Sequence, residues 1–136
     1  MNPGISFEFV HGLRILNLLE GEADIAIRVA VSEPDEALIC RKIGTEKWAL
    51  FGGKSYADEY GLPKSLDDLV GHRFVTFQRD DVPEYLHRWL EQNVSPHQII
   101  TSFSELDLMQ ASIGSGHGLG LIPVRFAEYD DAFIRC

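Results

Sequence analysis

Cysteine is scarce: Cys40 and Cys136 are the two in 136 residues. Their separation suits neither a metal site nor a disulfide framework, so a reduced, cytoplasmic protein without bound metal is expected. No apolar run approaches the roughly 20 residues of a membrane-spanning helix. The opening residues, MNPGISFEFVHG, lack the charged start and apolar core of a secretory signal. Basic residues are short as well: 12 Lys and Arg against 21 Asp and Glu leave a net charge of −9. Duplex binders neutralise phosphates with Lys and Arg, so the chain by itself is expected not to bind nucleic acid. The surplus of acid serves solubility. Repeats and low-complexity segments are absent too.

What remains is an ordinary globular composition, 45% hydrophobic and 24% charged, which argues for a folded domain or a piece of one. The pattern is organised around residues 13–30, LRILNLLEGEADIAIRVA. Ile15, Leu18 and Leu19 fall on one helical face, Gly21 supplies a stop, and the apolar run at 23–27 follows at once. A helix ended by Gly and followed by a short apolar strand is the second half of a βαβ crossover, which implies a parallel sheet. The preceding strand is ISFEFV at 5–10, entered through the turn Asn2-Pro3-Gly4, and the helix between them covers 13–20.

Further strands are expected at 38–43 and 46–51, with Gly52-Gly53 leading into a short helix, SYADEY, stopped by Gly61 and Pro63. Ser65 and Asp68 in SLDDLVG form a variant of the capping box, with Gly71 as the stop. RFVTF at 73–77 is a strand, and 83–92 is a helix with Pro83 at its start and Leu86, Trp89 and Leu90 inward. QIITSF at 98–103 is a strand, and Ser104 is expected to cap a helix running through Ile113, ended by Gly114. GLGLIP at 118–123 closes the pattern. The order describes a mixed α/β chain in two lobes joined by crossing strands.

Catalytic signals do not assemble. The glycines at 114, 116, 118 and 120 miss GxGxxG, because Leu119 and Leu121 occupy the third glycine's place, and they precede a strand where a phosphate cradle precedes a helix. Ile113 stands where a GxSxG elbow around Ser115 needs Gly. His11, His72, His87, His97 and His117 are dispersed and form no HExxH. Asp80, Asp81 and Glu84 beside Arg79 could do acid–base work, but without a nucleophile or metal they read as a solvated loop. No catalytic residue, metal or cofactor is expected. A small α/β enzyme would need a nucleophile–base pair that this pattern does not display.

Taken in order, GEADIAIR, LICRKIGTEKWALFGGKSYADEYGLPKSLDDLVGHRFV, an aromatic helix with RWL, and IGSGHGLGLIP resemble the effector-binding domain of LysR-type transcriptional regulators over nearly the whole chain. The resemblance implies a two-lobed α/β fold of the type II periplasmic-binding-protein-like kind, present incompletely. Residues 1–45 would belong to the first lobe, and 46–136 mostly to the crossing strand and second lobe. It also implies a non-enzymatic function: binding a small metabolite, an anionic one included, between the lobes to control transcription. Homo-oligomers would form in the full-length protein, and DNA would be reached only through a helix-turn-helix that this chain lacks. The domain's opening strand and helix, and its closing strand and helix, are expected to be missing as well. Alternatives are a solute-binding protein of the same fold serving transport, and a truncated, non-functional remnant.

In a two-lobe receptor the ligand sits at strand ends and helix N-termini, where free N–H groups favour anions. His11-Gly12 stands at one such junction, with a plain turn as the alternative. Ser102, Phe103 and Ser104 form another, though a structural cap also explains Ser104. In regulators this chain resembles, positions such as Gln78, Pro83 and Tyr85 line the cleft. Arg28 could meet a carboxylate or form a surface ion pair. Asp24, Trp48 and Trp89 read as structural, and Arg41 and Lys42 as solvated.

Overall fold

The computed structural model describes residues 3–10, 16–28, 36–78 and 83–136. His11, Gly12, Arg79, Asp80 and Asp81 lie outside the described residues.

Regular structure starts at Trp48. Strand β1 (Trp48–Gly53) leads into helix α1 (Lys54–Tyr60) and a 3₁₀ turn (Leu66–Gly71). Strand β2 (Phe74–Phe77), helix α2 (Glu84–Asn93), a second 3₁₀ turn (Pro96–Gln98) and strand β3 (Ile99–Phe103) follow. Helix α3 (Leu106–Gly114), strand β4 (Gly120–Pro123), helix α4 (Val124–Ala127) and strand β5 (Phe133–Arg135) complete the order.

β2 and β3 pair in parallel, with Thr76 opposite Ser102 and Phe77 opposite Phe103. A parallel pair needs a crossover, and α2 supplies it. β1 lies between β4 and β5, antiparallel to both. The two sheets meet at Leu119, whose N–H donates to the Arg73 carbonyl at 2.8 Å and whose carbonyl accepts from Val75 N–H at 2.9 Å.

Alternation along β2 sorts the core into two layers. Phe74 packs with Tyr56, Leu86, Leu90, Val94 and Leu119 on the α2 side. Val75 and Phe77 pack with Phe51, Met109, Ile113 and Ile122 on the α3 side. All four β2 residues are therefore buried, as a strand covered on both faces must be. Trp48 packs against both layers and meets Phe77 edge-on at 5.9 Å, and Trp89 is partly buried on the α2 side.

Two polar networks hold the loops. The buried Gln98 amide donates from Nε2 to the carbonyls of Leu69 (2.6 Å), Val70 (3.2 Å) and His72 (2.9 Å), while its Oε1 accepts from Ser95 N–H at 3.0 Å. The Tyr56 hydroxyl accepts from Arg73 N–H at 3.1 Å and lies 2.9 Å from His72 Nδ1. Burial raises the Tyr56 phenol, opposed by the Arg73 N–H bond and charge. Burial lowers His72, opposed by the charge of Asp68.

The structure departs from the sequence pattern in several places. No helix or strand forms among the described residues between 3 and 45, where strands were expected at 5–10, 23–27 and 38–43. Phe7, Phe9, Ile25 and Ile27 stay 72–83% exposed. An apolar strand face needs both a pairing neighbour and a covering layer, and the described residues supply neither to these segments. In place of the expected helix at 13–20, the described part is a turn closed by Gly21 N–H to Leu18 O (3.2 Å), with Gly21 at φ 78°.

β1 also runs on through Gly52-Gly53, past the expected strand end at 51, because β5 pairs with it there. A Cβ at Gly53 would strike the carbonyl oxygens of Ile113 and Gly114, so only glycine lets α3 approach this closely. Ser65 makes no capping bond; the Asp68 carboxylate accepts instead from Lys64 N–H at 3.0 Å. The capping box that does form is Ser95 with Gln98.

Candidate functional site

The carboxyl ends of β2 and β3 lie side by side. Gln78 N–H donates to the Phe103 carbonyl at 2.8 Å, which carries the ladder one residue past β2. Each strand then feeds a helix, so α2 and α3 both begin at this edge. Among the described residues neither has a side-chain cap: Pro83 precedes α2, and Glu105 precedes α3 without a capping bond. Ser104 is thus not the cap expected of it. Glu105 takes the extended cap conformation (φ −121°, ψ 131°) and Leu106 opens the helix, leaving Ser104 exposed one residue too early. Among the described residues the first turns of both helices have no capping side chain, which suits their N–H groups to ligand acceptors. Glu84 and Asp107 sit in those same first turns and offset part of the positive potential.

The other candidate residues sort by strand face. Thr76 and Ser102 pair across the strands on the α2 side, and Gln78 follows two residues on from Thr76. Gln78 and Ser102 line one groove of about 590 Å³ between α2 and the β2–β3 pair. Tyr85 packs against the α2-side core, and its phenol is raised by burial and then by the charge of Glu46. Pro83 is half-buried at the start of α2. Phe103 packs on the opposite face, against the α3-side core. Arg28 is exposed, and its guanidinium donates to the Leu16 carbonyl.

Two groove residues escaped the sequence pattern. Thr76 is 8% exposed and His87 9% exposed, and both line the groove. Among the described residues neither Thr76 Oγ1 nor His87 Nε2 has a hydrogen-bond partner. The signal was a polar residue on an apolar stripe: His87 lies three residues before Leu90 and seven before Val94, the spacing of one helix face. Trp89, expected to face inward, is less buried than His87. Among the described residues no cluster of three His, Cys, Asp or Glu side chains could hold a metal ion. Nor is any described helix long and apolar enough to cross a membrane.

A family model described as the LysR substrate binding domain matches residues 1–134. The chain belongs to the LysR substrate-binding domain family. It is 36% identical over 78 residues to an HTH-type transcriptional regulator of Xanthomonas campestris pv. campestris (strain 8004), a match covering 57% of this chain and 22% of that protein. With the HTH-type transcriptional regulator CrgA of Neisseria meningitidis serogroup C (strain 8013) it shares 26% identity over 134 residues, 96% of this chain and 44% of the relative. The chain therefore spans less than half the length of either curated relative. The solved structure of CrgA, a LysR-type transcriptional regulator from Neisseria meningitidis, superposes with a TM-score of 0.67 at 21% identity, over 88% of this chain and 42% of that one. The LysR resemblance of GEADIAIR through IGSGHGLGLIP stands, and so does the fold class: a type II periplasmic-binding-protein-like LysR effector domain, present incompletely.

Proposed function

We propose that this LysR-family chain is the effector-sensing part of a transcriptional regulator. Residues 1–45 belong to its first lobe and 46–136 to the crossing strand and second lobe. It takes a small metabolite between them, performs no catalysis, and works in the cytoplasm. In the full-length protein self-association and a helix-turn-helix would carry the signal to DNA. The observation that carries this reading is the shared edge of β2 and β3, where Gln78 and Ser102 line one groove beside two helix N-termini that have no side-chain cap among the described residues. In open α/β sheets ligands bind at such carboxyl ends.

The effector site would draw on Gln78, Pro83, Tyr85, Ser102, Phe103 and Ser104 from this lobe, and on His11, Gly12 and Arg28 from the other. An anionic effector suits the helix N-termini and Arg28. The transport reading is less favoured, because the curated relatives are described as transcriptional regulators.

The test is a thermal-shift screen of metabolites on the purified chain, followed by titration of a hit against Gln78→Ala and Ser102→Ala. Each exposed substitution should leave the unliganded melting point nearly unchanged, within about 0.5 kcal/mol. Each should weaken binding about five- to tenfold, the worth of one hydrogen bond. Undiminished affinity in both variants would remove this edge from the site.

A further inference from the structure

An ion pair between Arg125 and Glu46 stands on the side of the sheet where β2 and β3 end. β4 runs parallel to β2 through the bridge of Phe74 with Leu119, so Pro123 ends on the same side as Phe77. Trp48 ties the two ends together: it pairs with Pro123 across the strands and meets the Phe77 ring at 5.9 Å. Arg125 lies two residues beyond Pro123, and Gln78 one beyond Phe77. Glu46 reaches this side from the segment entering β1, where the Lys47 carbonyl accepts from Val124 N–H at 2.8 Å. Burial raises the Tyr85 phenol and the charge of Glu46 raises it further, which sets Glu46 beside the start of α2 as well.

We infer that Arg125 receives a carboxylate of the effector and that Glu46 is its positioning residue. This rests on the effector reading above, and adds the residue of this lobe that meets the charge and the class of anion it takes.

Glu46 Oε2 accepts from Arg125 Nε at 2.6 Å, and the guanidinium carbon stands 4.9 Å from the centre of the Phe126 ring. These two contacts fix the guanidinium plane. The Glu46 side chain keeps 11% of its surface and that of Arg125 67%, so the carboxylate is turned inward and the guanidinium outward. A guanidinium carries five N–H donors. Glu46 takes the Nε side, which leaves the edge between the two Nη atoms facing water, the geometry that binds a carboxylate through two parallel bonds.

Charge selects among anions. The chain carries −9, and Glu46 already lies against the same guanidinium, so each added negative charge on a ligand is repelled. A carboxylate brings one charge, whereas a phosphate monoester brings about two.

The experiment uses the whole 136-residue chain with benzoate, benzamide and inorganic phosphate as probes. Benzoate and benzamide share a ring and differ in charge. Titrations follow the Arg125 Nε–H signal and the amides of Val124 and Phe126 by NMR. Benzoate should move these signals and bind about tenfold more tightly than benzamide, the worth of a charge-assisted bond. Arg125→Gln, whose amide can still donate to Glu46, should abolish that preference. Glu46→Gln still accepts from Nε but carries no charge, and should raise benzoate affinity about two- to fivefold. A merely structural ion pair would not give that rise, and the second variant supplies a readout if the first folds poorly. Absence of a shift with benzoate, a preference that survives Arg125→Gln, unchanged or lower affinity in Glu46→Gln, or tighter binding of phosphate than of benzoate would each overturn the inference. Gln78→Ala and Ser102→Ala separate the two readings. Undiminished affinity of a metabolite hit in both, with benzoate still dependent on Arg125, defeats the Gln78–Ser102 edge alone. Loss of the benzoate dependence, with both variants still weakening the hit, defeats Arg125 alone.

Discussion

Residues 3–45 and residues 48–136 carry similar apolar patterning and meet opposite fates. All fifteen buried apolar residues among the described ones fall between Phe51 and Ala127. The described residues before position 46 instead expose nine large apolar side chains, from Ile5 through Ile27 to Ile43. A strand pattern names a face; it does not supply what the face packs against. β2 becomes a strand because β3 and Leu119 bond its two edges while α2 and α3 cover its two faces. ISFEFV and DIAI repeat apolar residues with the same regularity, but among the described residues no helix covers them.

That contrast can be broken most directly in the second region. Phe74 is fully buried at the centre of the α2-side core, so Phe74→Ala should destabilise the chain by about 3–5 kcal/mol in chemical denaturation. A loss under 1 kcal/mol would mean this core is not the source of stability.

Gln98→Ala comes next. It leaves the carbonyls of Leu69 and His72 and the N–H of Ser95 without their side-chain partner. The expected cost is about 1–3 kcal/mol, read in the same denaturation curves.

A smaller effect is set by pH. The folded pKa of His72 is pushed below its ordinary value of 6.5, chiefly by burial. The unfolded chain then binds the proton more readily, so this contribution is complete above pH 6.5 and is lost as pH falls through the lowered folded value. The melting point should drop across that window, and His72→Gln should flatten the dependence; an unaltered slope in the variant would assign the drop to other groups.

The least effect belongs to the first region. Ile25→Ser and Ile27→Ser alter side chains that are 78% and 82% exposed, and each should change stability by less than about 0.5 kcal/mol. A loss of 2 kcal/mol at either position would show that the segment is packed in solution, and the contrast between the regions would fail.

Much of the second region was legible beforehand. Periodicity located α2 and α3 to within a residue or two at most ends, and located β2, β3 and β4 with them. These segments carry their signals locally: apolar spacing, Pro83 before a helix, Gly114 at the end of one. α4 and β5 were not legible, because a four-residue helix and a three-residue strand are too short to show a period and exist by packing against β1 and β4. At the candidate site, Gln78 and Ser102 could be named from their positions at strand ends. Thr76 and His87 could not, because their importance lies in lacking a partner, and partners are settled by distant parts of the chain.

The amino-acid sequence by itself determined the family, the α/β class and the order of the main elements from residue 48 to Pro123, since each follows from short-range spacing and residue type. Tertiary structure decided which apolar faces are covered, which glycine admits a neighbouring helix, and which polar atoms share one groove. Those outcomes depend on contacts between residues far apart in the chain, such as Thr76 with the α2 face and Gly53 with the end of α3, and no local pattern encodes them.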